Sequence, residues 1–314
     1  MPSFSENNEE KQKHTERFGQ ILIYLGKLFR IFINENSWKL FPMAAIVSLI
    51  VASVCNNVFV NMEGTQVGAL AFACVCIWNG FFNSIQSICK ERPIIKREHR
   101  AGMHISSYMI AHMIYQAIIC AGQSVIQLVI YKLCGIPFPE AGPVTGSFVV
   151  DFFITLFIIT YAADMLALMV SCIVKTTTSA MTVVPFLLIL QLIFSGVAFE
   201  LNGFADTVSK FMISRWGIRT ICTVADYNSL YSISLYAAVN KLTTIPEVSM
   251  VYKYIRNSEM WTIIGETSTA NMRNAEYAFT AANMWQEWGV LLGMALLFAI
   301  VGILFLENID KDKR

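Results

Sequence analysis

Charge is what this sequence has least of: Asp, Glu, Lys and Arg make up 14% of its 314 residues, 55% are hydrophobic, and mean hydropathy is +0.54. Soluble globular proteins carry about 25% charged residues, so a chain of this composition needs lipid. An overall basic excess is also missing, with net charge +1 and pI about 7.5, and no nucleic-acid partner is expected. No G-x-x-x-x-G-K-[ST], G-x-S-x-G or H-E-x-x-H occurs, so nucleotide binding, acyl transfer and zinc hydrolysis lack their minimum parts and no catalytic residue is assigned. His99, His104 and His112 have no second ligand at metal spacing on the same helix; they read as polar contacts, and no metal site is expected. The opening MPSFSENNEEKQKH is polar with no small-residue cleavage site behind it, so no signal peptide is expected.

Cysteine is present but badly placed for a disulfide framework. Cys55, Cys74, Cys76, Cys89, Cys120 and Cys172 fall in or at the ends of apolar runs and read as small packing residues, and Cys222 is the only cysteine of the longest polar segment.

A helix needs roughly 20 mostly apolar residues to cross a bilayer. No Asp, Glu, Lys or Arg interrupts the chain between Lys39 and Glu63, Glu63 and Lys90, Arg100 and Lys132, Lys175 and Glu200, or Glu287 and Glu307. These are spans one, two, three, five and six. Span four, from about Ser147 to Val174, is equally apolar but carries Asp151 near one end and Asp164 near its middle. The predicted fold is therefore all-α and integral to the membrane, with six transmembrane helices. Positive loops stay on the cytoplasmic side. Lys11, Lys13, Arg17, Lys27, Arg30 and Lys39 before span one, and Lys90, Arg92, Lys96, Arg97 and Arg100 after span two, put both segments inside. The expected organisation is a disordered cytoplasmic segment over 1–16, an amphipathic connecting helix over 17–36, a six-helix permease domain over 37–306 with an extracellular loop over 200–286, and a cytoplasmic tail over 307–314.

Three features invite function. Phe18, Ile21, Leu22, Leu25, Leu28, Phe29, Phe32 and Ile33 recur at helical spacing ahead of span one, which describes a helix lying in the interface. The turn CKERPIIKREHRAG places Glu91 and Glu98 seven apart, on one face of a helix, where charge pairs would stiffen a cytoplasmic hairpin. Asp164 falls near mid-membrane, where an ionised carboxylate costs about 2.5–3.5 kcal/mol on insertion scales; it should face the interior and find a partner there.

Three segments resemble the membrane subunit of ABC exporters of the G-subfamily type, the type-2 permease family with the type V fold. WNGFFNSIQSICKERPIIKREHRAGMHISSY, residues 78–108, is similar to the family's second span and coupling hairpin. SAMTVVPFLLILQLIFSGVAF, residues 179–199, resembles its fifth span, with F-S-G near the outer end. SRWGIRTICTVADYN, residues 214–228, resembles the stretch that returns toward the membrane. The resemblance implies a dimer of two permease subunits, identical or different, each resting on a separate ATPase subunit that binds ATP and Mg; this chain itself holds no cofactor. It implies that Glu91, Arg92, Lys96, Arg97, Glu98 and Arg100 meet that ATPase. Cys76, Asn79 and Phe82 of span two and Leu188, Ile189 and Leu192 of span five would line the substrate cavity, with Phe194 and Val197 near an outer gate. The lack of a fused ATPase domain points to the split systems of bacterial cytoplasmic membranes. An ion-coupled carrier or channel would want several intramembrane carboxylates or broken helices, and Asp164 stands alone in the spans; a membrane transferase would want a polar catalytic cluster at one interface.

Overall fold

The computed structural model describes residues 16–55, 57–199, 201–230 and 273–307. The expectations for most of segment 1–16, for residues 231–272 of the expected extracellular loop, and for nearly all of the tail 307–314 lie outside the described residues.

The described residues form ten α-helices: α1 Arg17–Asn34, α2 Leu40–Val54, α3 Met62–Ser84, α4 Ser87–Arg100, α5 Ile105–Leu133, α6 Phe148–Ile173, α7 Thr177–Ile193, α8 Phe204–Ser209, α9 Ile213–Val224 and α10 Ala281–Glu307. Five stretches are long and apolar enough to cross a membrane: Ser37–Val54, Met62–Arg100, Ile105–Leu133, Phe148–Ile173 and Ala281–Glu307. The fifth apolar run of the sequence forms the 17-residue helix α7, which carries Pro185. At 1.5 Å per residue it is about 25 Å long, at the short end of what spans.

Local chemistry sets the helix ends. The Asn61 side chain accepts a 2.7 Å bond from the Gly64 N–H and starts α3, and Thr176 does the same for α7 through Ser179. Asp151, in the first turn of α6, accepts the backbone N–H groups of Val144 and Thr145 and ties the preceding loop to the helix. Helix α4 ends at Arg100, and Gly102, with a φ of 103°, turns the chain sharply into α5.

Helix α6 is the centre of the bundle, with α3 and α10 packed along it and α5 and α9 against it, while α1 and α2 lean on α5. Gly80 makes the α3–α6 seam possible: a Cβ there would lie 2.4 Å from the Thr160 carbonyl oxygen. Small residues at such crossings let backbones approach where lipid offers no hydrophobic drive between helices. Beyond that seam an aromatic cluster of Phe59, Phe72, Tyr131, Phe138, Phe148 and Phe152 fills the end of the bundle away from α4, with Phe72 stacked on Tyr131 at 4.2 Å. Cysteine behaves as packing material: all eight are free, and Cys76, Cys89, Cys120, Cys172 and Cys222 are buried.

Candidate functional site

Helix α4 is the most charged helix of the bundle and projects from its end. Its Glu91 and Glu98 do share a face, and that face meets α1. Lys27 of α1 pairs with Glu91 at 3.1 Å, the Tyr24 hydroxyl donates to Glu98 at 3.0 Å, and the Tyr108 hydroxyl of α5 donates to Glu91 at 3.2 Å. Gln20 completes the clamp, donating to the Gly102 carbonyl at 3.3 Å and accepting the His104 N–H at 2.9 Å. Burial, and then the hydrogen bond to Glu98, push the Tyr24 phenol well above its ordinary value. The two glutamates, expected to brace the hairpin along its own length, thus bind it to the interfacial helix. Arg92 anchors α4 at its other flank, donating to the carbonyls of Cys172 and Val174 at 2.9 and 3.1 Å, where α6 leaves its last carbonyls. Lys96 is half-buried. What α4 offers outward is a ridge of Pro93, Ile94, Arg97 and Arg100, an apolar step followed by two cations.

The expected cavity residues divide. Phe82 on α3 and Ile189 and Leu192 on α7 are exposed, Leu188, Phe194 and Val197 are half-buried, and Trp78 stands beside Phe82 with its ring 4.8 Å away. Cys76 and Asn79 instead point into the chain's own bundle. Cys76 is fully buried and its thiol donates to Gln127 of α5 at 3.3 Å; Asn79 is 5% exposed. The α3 face that α7 can share with another surface is the Trp78–Phe82 face, one step around the helix from Cys76 and Asn79.

Asp164 is fully buried at the meeting of α3, α5 and α6, as expected for an intramembrane carboxylate. Ser84 donates to its carboxylate and lies 2.8 Å from its backbone carbonyl, and the Cys120 thiol donates to the second carboxylate oxygen at 3.2 Å. The network extends through Asn83, whose amide exchanges two bonds with Gln123 at 2.8 and 2.9 Å. These partners belong to a feature that was not read from the sequence. His112, Gln116, Cys120, Gln123, Gln127 and Tyr131 recur at intervals of three and four, and all are buried, whereas Ile110, Ile114, Ile118, Val125 and Val129 are exposed. Helix α5 is polar inside and apolar outside, which is the economical arrangement when the surrounding solvent is lipid. His112, expected to make polar contacts, has no hydrogen-bond partner on either ring nitrogen among the described residues and packs edge-on to Tyr108.

At the opposite end from α4, a second charged cluster joins α8, α9 and α10. Arg215 pairs with Asp206, and Arg219 lies 3.4 Å from Glu276 and 3.5 Å from Glu287, which is fully buried. Arg219 also sits over the Trp216 ring at 4.7 Å. The hydrogen bonds from Arg215 and Lys210 hold the Asp206 carboxyl below the usual range. Arg215 and Arg219 thus give α9 an ion-paired side while its apolar side packs on α3 and α6.

The family model described as ABC-2 type transporter matches residues 24–224, from within α1 to the end of α9. An ABC transporter ATP-binding/permease protein of Mycobacterium tuberculosis is 25% identical over an alignment 232 residues long that covers 68% of this chain and 26% of that protein. The chain therefore spans about a quarter of the length of that relative.

Proposed function

This chain belongs to the ABC-2 type transporter family, and we propose that it works as the membrane-spanning permease of an exporter driven by ATP hydrolysis on a separate subunit. In this reading two permease subunits pair, identical or different, and the pathway for a hydrophobic or amphipathic molecule runs between their α3 and α7 faces. The chain crosses the bacterial cytoplasmic membrane six times, α7 making the fifth crossing and residues 200–286 lying outside. Orientation follows from the basic residues of α1 and α4, which place the α4 end in the cytosol.

The observation that carries the reading is the build of α4. A solvated loop has no need of two hydrogen bonds and an ion pair to α1 and α5, nor of an arginine locked onto the end of α6. Those contacts make α4 a lever joined to α1 on one flank and to the central helix on the other, with Ile94, Arg97 and Arg100 turned outward for a partner. ATP and Mg belong to that partner. An ion-coupled carrier or channel remains the different reading, and it would act without an ATPase.

Coexpression with a P-loop ATPase encoded beside it tests the proposal. Copurification of the two with ATPase activity, abolished by Ile94→Asp together with Arg97→Glu while the permease stays folded, is the expected result. Substrate movement by this chain alone along an ion gradient would overturn it.

A further inference from the structure

A cavity of about 410 Å³ opens at the α4 end of the bundle, in the corner between α1, α2, α3, α4 and α5, with Met181 of α7 at its edge. It is distinct from the exposed α3–α7 face, though Phe82 borders both. One part of its wall is apolar: Leu28 and Ile31 of α1, Leu40 and Met43 of α2, and Ile85 of α3. Another part is charged or polar, with Glu35, Ser37, Lys39, Lys90 and Glu91. The lining has two cations and two anions, but one of the anions is held by Lys27 from outside the wall. Lys90 holds Glu35 at 2.6 Å and Lys27 holds Glu91 at 3.1 Å, which leaves Lys39 as the lining cation with no ion-pair partner among the described residues. Beside it Trp38 is half-exposed, with its indole N–H donating to Asn36 at 3.3 Å. An exposed Trp–Lys pair at the start of a span is what the headgroup layer selects.

Among the residues that line this cavity, His112 is a buried polar group left without a partner. It lines this cavity, is 2% exposed, and neither ring nitrogen has a hydrogen-bond partner among the described residues. A buried polar group without a partner calls for a ligand or water to satisfy it, and this one lies in the wall of the cavity. The cavity thus offers an uncompensated cation at headgroup depth, apolar walls below it, and one deeper hydrogen-bonding group that can donate or accept.

We propose that this corner binds an acidic amphiphile taken from the leaflet beside α4, its phosphate-type headgroup at Lys39, a hydroxyl or ester oxygen at His112, and its chain along Met43, Phe82 and Met181. The proposal rests on the permease reading for its meaning, since it names the class of molecule that reading would move, but the binding itself depends only on this chain.

Thermal unfolding of the purified chain in neutral detergent, titrated with dioctanoyl-phosphatidylglycerol, dioctanoyl-phosphatidylcholine or inorganic phosphate, tests it. Only the phosphatidylglycerol should raise the melting temperature in a saturable way, as a ligand that binds the folded state alone must. Lys39→Glu should weaken that binding by roughly tenfold. His112→Phe should raise the melting temperature without ligand and abolish the response to ligand, while His112→Gln should keep the response; a purely structural histidine would lower stability in both. Equal responses to phosphatidylcholine, a response to inorganic phosphate alone, or indifference to Lys39→Glu and His112→Phe would each overturn the site. Binding without any ATPase coupling would sink the permease reading and leave the site standing, and coupling without binding would do the reverse.

Discussion

Lys27 of α1 and Glu91 of α4 meet at 3.1 Å across two helices that are 64 residues apart in the chain, with side chains 30% and 16% exposed. The pair makes the interfacial helix and the projecting helix one mechanical unit, so force on either reaches α5 through Tyr108.

Breaking the pair with Lys27→Met should cost about 1–2 kcal/mol, the range of a hydrogen-bonded ion pair partly screened by solvent. Glu91→Gln should cost less, because the amide oxygen still accepts from Tyr108. The exchanged pair, Lys27→Glu with Glu91→Lys, should recover part of the loss in a double-mutant cycle read by thermal unfolding. Strict additivity of the two single changes would mean the contact carries no coupling.

Tyr24 gives the clamp a pH limit. Its phenol is raised by burial and by Glu98, so the folded protein prefers the neutral form more than the unfolded chain does. A raised folded value contributes stability that is complete below the ordinary phenol range near 10 and is lost as pH climbs above it. Thermal stability should therefore fall more steeply between about pH 10 and 12 in the natural protein than in Tyr24→Phe, which lacks both the bond and the titration. Parallel curves for the two proteins would contradict this.

Gly80 and Gly289 make a matched contrast. An added Cβ at Gly80 meets the Thr160 carbonyl oxygen at 2.4 Å and the Asp164 nitrogen at 2.7 Å, both backbone atoms of α6, whereas Gly289 of α10 has nothing within 4 Å. Gly80→Ala should destabilise by about 1–3 kcal/mol as α3 is pushed off α6. Gly289→Ala should be neutral or add up to about 1 kcal/mol through helix propensity. Melting temperatures of the two variants side by side decide it, and equal losses would show the seam to be looser than described.

The cluster at the other end is asymmetric in the same measurable way. Glu287 is fully buried and Arg219 is its nearest cation. Arg219→Met alone strands that carboxylate and should cost about 3–5 kcal/mol. Adding Glu287→Gln should restore most of it, because the neutral side chain keeps the Thr223 contact without a buried charge. A double variant as unstable as the single one would place the value of Arg219 in its packing on Trp216 instead.

Much of this architecture was legible in residue order, for reasons that belong to lipid. Gaps free of charge between Glu63 and Lys90 or between Arg100 and Lys132 permit one outcome in hydrocarbon, a helix whose backbone satisfies itself. Asp164 had to turn inward by the same logic, and it does. The seven-residue spacing of Glu91 and Glu98 likewise forced them onto one face. The side on which that face lay was not in the spacing, because it depended on where Tyr24 and Lys27 came to rest after more than 60 intervening residues. Cys76 and Asn79 show the same gap: they share a helix with Phe82, yet a rotation of one residue step, about 100°, separates the interior from the exposed face.

The polar side of α5 was present as a pattern and passed unread, since Gln116, Gln123 and Gln127 are few among many apolar neighbours and hydropathy averages them away. Composition and charge spacing alone determined that this chain lives in a membrane and which runs of it are apolar enough to cross, because transfer free energy acts on local sequence. Only the tertiary structure decided that α1 clasps α4, that α5 hides its amides against α3 and α6, and that a cavity with an unpartnered histidine opens beside Lys39. Those outcomes depend on how helices distant in sequence rotate and pack against one another, and no local signal encodes a rotation.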